Sequence, residues 1–213
     1  MSAAGRFVTM EGIEGVGKST QVARLSEALK SLGIAHAVTR EPGGTPLAES
    51  IRDVVLTARE ETLPPTAELL LMFAARAVHL ANYIEPNLRA GCWVICDRFT
   101  DATYAYQGGG RQLRLDTIGE LESMVQGTLR PHLTLLLDAP VEKALARARR
   151  RNAGSPEDRF ERERSEFFER VTRVYRARAA AEPDRIAIID ATRSVEEVGA
   201  RILEQLKVRS WIS

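Results

Sequence analysis

Gly12-Ile13-Glu14-Gly15-Val16-Gly17-Lys18-Ser19 is the stretch from which the rest of this chain can be read. It fits G-x-x-x-x-G-K-[ST], and its flanks fit too. Residues 7–10 (Phe-Val-Thr-Met) read as a short buried strand, and Val22, Leu25, Leu29 and Leu32 then recur at helical spacing. A loop that joins a strand to a helix N-terminus can turn several backbone N–H groups toward one anion, and the helix dipole adds favourable potential. Lys18 can reach terminal phosphates, and the Ser19 hydroxyl can ligate magnesium. The bland alternative is a Gly-rich turn that only caps a helix. The strand–loop–helix placement favours nucleoside triphosphate binding.

Bulk properties set the frame. The 213 residues suffice for one α/β domain with a real core. A hydrophobic content of 44% and a charged content of 28% are ordinary for a soluble protein. The net charge of +1 gives no global basic field aimed at nucleic acid or membrane. Cys92 and Cys96 flank an expected buried strand and lack partner clusters, so two buried thiols in a reducing compartment are expected rather than a metal site. The strand and phosphate loop start almost at once, without a signal peptide, and no apolar run is read as long enough to span a bilayer. A cytoplasmic protein is the expectation.

Apolar segments at 7–10, 35–39, 93–96, 133–137 and 186–189 alternate with helical patterns. That order implies a five-stranded parallel sheet with helices on both faces, a three-layer P-loop NTPase fold. Ligands bind beyond the carboxyl ends of such strands. Glu11 with the phosphate loop, Arg40-Glu41-Pro42-Gly43, Asp97-Arg98, Asp138 and Asp190 are therefore expected to converge. Ser194-Val195-Glu196-Glu197 reads as a capping box, and Ser155-Pro156-Glu157-Asp158 as a second helix start. Thr66 is expected to cap a long helix running to about Leu88. No linker divides residues 1–213, and Trp211 is expected to pack on the body.

The other motifs narrow the chemistry. No Asn-Lys-x-Asp occurs, which argues against a GTPase. Asp97 ends the third strand and can hold magnesium's water shell or receive the acceptor's proton, and Arg98 offers a fork to a second phosphate; a strand-end ion pair is the plainer alternative. Arg147-Ala148-Arg149-Arg150-Arg151 precedes a short loop at 152–155, with Arg159 beyond it. Such a run is either a solvated helix face or a mobile lid, at about 147–160, that brings arginines onto phosphates. Phe73 falls on the apolar stripe Leu69, Phe73, Ala77, Leu80 and Ile84, and by periodicity reads as core. Arg76, amid apolar neighbours, requires a partner. Residues 103–111, from Thr103 and Tyr104 through Gln107 to Arg111, combine aromatics, an amide and a glycine run.

Taken together, these residues resemble bacterial thymidylate kinase. The resemblance rests on residues 11–20 (Glu-Gly-Ile-Glu-Gly-Val-Gly-Lys-Ser-Thr), 39–45 (Thr-Arg-Glu-Pro-Gly-Gly-Thr), 71–76 (Leu-Met-Phe-Ala-Ala-Arg), 97–99, 105–111 and the arginine run, in that order over nearly the whole chain. It implies phosphoryl transfer from MgATP to dTMP, giving dTDP and ADP. By the resemblance, Gly12, Ile13, Glu14, Gly15, Val16, Gly17, Lys18, Ser19 and Thr20 hold ATP. Ser19 and Asp97 serve magnesium, Asp97 being preferred to Asp138, which also ends a strand. Glu14 approaches the deoxyribose 3′-hydroxyl. Arg40, Glu41 and Arg98 belong to the acceptor end, with Arg98 on the dTMP phosphate. Phe73 stacks on thymine, so the resemblance overrides its core reading. Arg76 donates to O4, Gln107 meets the base edge, and Tyr104, with Thr103 beside it, walls off a ribose 2′-hydroxyl. Some members carry an arginine directly after the loop acid, where this chain has Gly15. Lid arginines in the enterobacterial manner, Arg147, Arg149 and Arg151, are then expected to supply transition-state charge. The family forms homodimers and acts on small molecules. Rival readings are a kinase for another monophosphate or a small alcohol, and an ATP-gated switch whose basic run contacts nucleic acid.

Overall fold

The computed structural model describes residues 5–57, 60–151, 159–160 and 162–212. Five strands form one sheet: β1 (Phe7–Glu11), β2 (His36–Arg40), β3 (Trp93–Asp97), β4 (Leu133–Asp138) and β5 (Ile186–Asp190). They lie in the order β2-β3-β1-β4-β5, and every pairing is parallel. The helices are α1 (Lys18–Ser31), α2 (Pro46–Leu56), α3 (Pro65–His79), α4 (Glu85–Arg89), α5 (Thr100–Thr103), α6 (Leu115–Gln126), α7 (Val141–Arg151), α8 (Ser165–Ala181) and α9 (Val195–Val208). Two π-helical turns, Leu80–Ile84 and Tyr104–Gly110, interrupt this pattern.

The central strands are apolar on both faces because helices cover both. β1 is buried throughout, and all of β4 but its last residue is buried. Connections leave β1 toward β2 and β4 toward β5, to opposite sides of the sheet. The crevice opens at the carboxyl ends between them. The α1 face Val22, Leu25 and Leu29 is buried as its spacing predicts, but Leu32 lies beyond the helix end and is 48% exposed.

The Ser194 capping box forms as expected: its hydroxyl accepts from the Glu197 N–H, and the Glu197 carboxylate accepts from the Ser194 N–H. Thr66 is not a cap; α3 starts at Pro65, whose fixed φ and missing N–H suit the first helical position. The long helix is also not regular to Leu88, because the Leu80–Ile84 π-turn precedes α4. The expected stripe is buried at Leu69, Phe73, Leu80 and Ile84 but exposed at Ala77, because two successive four-residue steps drift about 80° around a regular helix. By length and composition, Pro65–Arg89 could cross a membrane, contrary to the expectation that no apolar run is long enough, but half of its 18-residue apolar window is buried inside this fold.

Trp211 packs edge-on against Trp93 at 5.8 Å. Cys96 is buried, which pushes its thiol pKa up, but Cys92 is only partly buried, so the expected pair of buried thiols reduces to one. The helix start expected at Ser155 and the loop at 152–155 lie outside the described residues.

Candidate active site

The phosphate loop connects β1 to α1. No acidic residue occupies the first turn of α1, so its N-terminal N–H groups and dipole are left for an anion. Gly17, the residue before the helix, has φ +97°, and Gly15 has φ +77°. Gly15 has a second constraint. A Cβ there would lie 1.9 Å from the Ala144 carbonyl oxygen and 2.9 Å from the Ala148 nitrogen. The loop therefore packs directly on the α7 backbone, leaving no room for a side chain at this position. That is a physical reason for the missing loop arginine: α7 occupies its place and carries arginines of its own.

Lys18 is 8% exposed, and its ammonium donates to the carbonyls of Gly12 and Ile13 at 3.0 and 2.9 Å. Burial, with the Arg98 charge nearby, lowers its pKa to about 8. Ile13 and Val16 are buried beneath the loop, while Ser19 and Thr20 are exposed at its end.

Arg98 follows β3 with φ +71°, an uncommon conformation for a non-glycine residue that costs about 1–2 kcal/mol. Its guanidinium is held on three sides. Nη1 donates to the Gly12 carbonyl at 2.7 Å, Nη2 to Glu14 Oε1 at 2.8 Å, and the plane lies 4.8 Å from the Tyr106 ring centroid. The Tyr106 hydroxyl in turn reaches both Glu14 oxygens at 2.9 Å. Glu14 is thus fixed between a cation and a phenol. Beneath them, Glu11 is fully buried and accepts from the Phe99 N–H and the Tyr175 hydroxyl; burial, reinforced by Asp101, raises its pKa to about 7.

At the end of β3, Ser19 Oγ lies 3.4 Å from Asp97 Oδ2, while Asp97 Oδ1 is buried without a partner. This pair suits magnesium, which is held through one or two carboxylates, waters and substrate phosphates rather than by an all-protein cage. No cluster of three or more His, Cys, Asp or Glu side chains fit for a metal exists among the described residues. Asp138 is engaged elsewhere, in a two-point pair with Arg176, and Asp190 binds Thr192 and Arg193. Neither lines the crevice pocket. The expected convergence of strand ends therefore holds for β1, β2 and β3 only.

One pocket joins the phosphate loop to the acceptor side. Glu14, Lys18, Ser19, Arg40, Glu41, Asp97, Arg98 and Gln107 all line it, as does Arg151 at the end of α7. Arg40 is exposed and paired with Glu49, whereas Glu41 is buried between Arg76 and His79. Arg147 donates to the Ala191 carbonyl, which ties α7 to the turn after β5; Arg149 is exposed on the same helix. Residues 152–158, within the segment expected at about 147–160 to form a lid, lie outside the described residues.

Four expected substrate contacts, Phe73, Arg76, Thr103 and Tyr104, do not line this pocket. Phe73 does not line the pocket; it is 2% exposed and packs with Leu69, Tyr104 and Ile118, and Met72 lines the pocket instead. One residue is a rotation of about 100° on a helix, enough to exchange the two faces. Tyr104 does not line it either; its hydroxyl donates to Glu122 at 2.7 Å, and burial with that partner raises its pKa to about 12. Tyr106 takes the pocket position, because the Tyr104–Gly110 π-turn shifts the phase of the segment. Thr103 is fully buried and accepts from Arg76 Nη2 at 2.9 Å. Arg76 lies behind the wall with Nε on Glu41 at 2.7 Å, and its Nη1 is left without a partner. The predicted need of Arg76 for a partner is met mainly by protein.

Tyr106, Met72, Glu68 and Phe160 were not legible as site residues. Tyr106 had no separable signal inside an aromatic and glycine run, and Glu68 reads as an ordinary helix acid.

Comparison with known proteins agrees with this geometry. The family model for thymidylate kinase matches residues 10–202. The thymidylate kinase of Chromohalobacter salexigens is 59% identical over 97% of this chain and 98% of its own length. That of Bordetella petrii is 53% identical, covering 97% of each chain. The crystal structure of thymidylate kinase from Ehrlichia chaffeensis superposes with a TM-score of 0.78 at 30% identity, over 95% of this chain and 99% of that one. With the phosphate loop, the Asp97-Arg98 strand end and the acceptor pocket in one crevice, this chain belongs to the thymidylate kinase family.

Proposed function

We infer that this enzyme transfers the γ-phosphoryl group of ATP to dTMP, giving dTDP and ADP. The observation that carries the reading is similarity over nearly the full length to thymidylate kinases at 52–59% identity. The site supports it through its unsatisfied atoms. Five buried side-chain polar atoms lack a partner among the described residues, and Asp97 Oδ1, Gln107 Oε1 and Arg76 Nη1 belong to the crevice or its wall. An acceptor on Gln107 and a donor on Arg76 match the N3–H and O4 of thymine.

Catalysis is positioning plus electrostatics, without a covalent intermediate. Lys18 leaves its two loop carbonyls for the donor phosphates. Arg98, held by Gly12 and Glu14, meets the acceptor phosphate, while Glu14 is set to accept from the deoxyribose 3′-hydroxyl. Ser19 and Asp97 would hold magnesium, which neutralises the β- and γ-phosphate oxygens when bound. Arg151, with Arg147 and Arg149 on the same helix, supplies positive charge along the transfer path. Met72 lies where the acceptor base would rest.

A cytoplasmic homodimer completes the reading. It is supported by exposed Leu47 on α2, Leu70 on α3 and Met124 on α6, at 59%, 52% and 78% exposure on helices that pack side by side. ADP release from MgATP with separate nucleoside monophosphates tests the activity. Turnover confined largely to dTMP, with weaker dUMP, supports it, and equal release whatever the acceptor refutes it. Light scattering on the eluted protein reads the mass of the assembly.

A further inference from the structure

Gln107 is fully buried yet lines the pocket, and the two ends of its amide have different environments. Nε2 donates to Glu68 Oε1 at 2.8 Å, while Oε1 has no partner. Glu68 is itself fully buried, four residues before Met72 on α3. Arg111 Nε lies 3.2 Å from both its oxygens, and Arg159 Nη2 donates to Oε2 at 2.9 Å. These arginines are anchored in turn. Arg111 pairs with Glu163, and its guanidinium stacks over Phe167 at 5.0 Å. Arg159 Nη1 donates to the Val55 carbonyl at 2.9 Å, and its backbone N–H to that of Leu56.

A carboxylate clamped by two guanidinium groups can only accept. The amide edge it faces must therefore be the NH₂ edge, and the carbonyl is what remains for the pocket. We propose that Glu68 is a positioning residue for base selection: it locks Gln107 with its acceptor toward the acceptor base. An acceptor there pairs with the N3–H of thymine or uracil. The reversed amide would present N–H to cytosine, whose N3 is an acceptor. Glu68 never touches the substrate and acts only through the amide. This inference rests on the dTMP kinase reading above.

The test measures kcat/KM for dTMP and dCMP in the wild type, Glu68→Gln, Gln107→Leu and the double variant, with melting temperature and ATP affinity alongside. In Glu68→Gln the new side chain can donate or accept, so Gln107 is free to reverse. The dTMP-to-dCMP ratio is expected to fall about tenfold or more, mainly through a higher KM for dTMP. In the Gln107→Leu background the same change should leave the ratio as it was. If Glu68→Gln does not fold, Glu68→Asp keeps the charge for both arginines, withdraws the carboxylate from Gln107, and should lower the ratio likewise. A ratio within about twofold of wild type in a folded Glu68 variant, or an equal fall with and without Gln107, overturns the inference. Wild type that does not turn over dTMP overturns the substrate reading first, and this inference with it.

Discussion

Raising the pH should weaken ATP binding through Lys18 alone. Its ammonium is buried against two carbonyls of the phosphate loop, and desolvation with the Arg98 charge brings its pKa down to about 8 from 10.5. Triphosphate oxygens favour the charged form, so binding must take up a proton once the free enzyme has lost it. The penalty is the free enzyme's neutral fraction. At about pH 7.5 roughly a quarter of Lys18 is neutral, and at about pH 9.5 almost all of it is. Affinity should fall about 25-fold between them, close to 2 kcal/mol, provided the bound pKa stays above the upper pH. Calorimetric titration with ATP in buffers of differing ionisation enthalpy reads this directly. Proton uptake should rise from about 0.25 to nearly 1 per ATP. Lys18→Arg, which does not titrate in this range, should bind with uptake near zero at both pH values. Uptake that stays near zero in the native protein would refute the argument. The same shift acts on stability: an unfolded chain with Lys18 at 10.5 binds more protons than the folded one above about pH 8. The penalty for burying this charge is thus present below pH 8 and relieved as pH rises toward 10.5.

Gly15→Ala places a methyl group 1.9 Å from the Ala144 carbonyl at φ +77°; a large loss of both melting temperature and ATP affinity is expected, and a stable variant with normal affinity would mean that α7 yields readily. Phe73→Ala should cost about 3–5 kcal/mol of unfolding free energy, whereas Met72→Ala should chiefly raise the dTMP dissociation constant. Lost dTMP affinity in Phe73→Ala at unchanged stability would put Phe73 against the base after all. Arg98→Ala keeps the left-handed backbone, since alanine also carries a Cβ, and leaves Glu14 without its cation, so kcat/KM should fall by about a hundredfold or more, roughly 3 kcal/mol. Near-normal turnover would remove Arg98 from the acceptor phosphate.

The phosphate loop, the five strands, their parallel sense and the Ser194 cap were all legible in the sequence. Each rests on local periodicity or on a few adjacent residues, so no distant part of the chain is needed to specify it. The crevice-lining residues Glu14, Lys18, Arg40, Glu41, Asp97 and Arg98 were likewise predictable, because strand ends of a parallel sheet have a fixed place, whereas Gln107 was placed only by the family resemblance. What the tertiary structure alone decided is which neighbour in a helix faces the pocket and which partner satisfies each buried charge. Phe73 and Met72 differ by one position on a regular helix, and Tyr104 and Tyr106 by two within the Tyr104–Gly110 π-turn, which shifts the phase that a 3.6-residue period assumes. Asp97 and Asp138 end the two strands that flank β1 with the same residue, yet Arg176 on α8 occupies Asp138 and leaves Asp97 to Ser19. Gly15 shows the same division: sequence places it in the phosphate loop, but only the approach of α7 explains why nothing larger stands there.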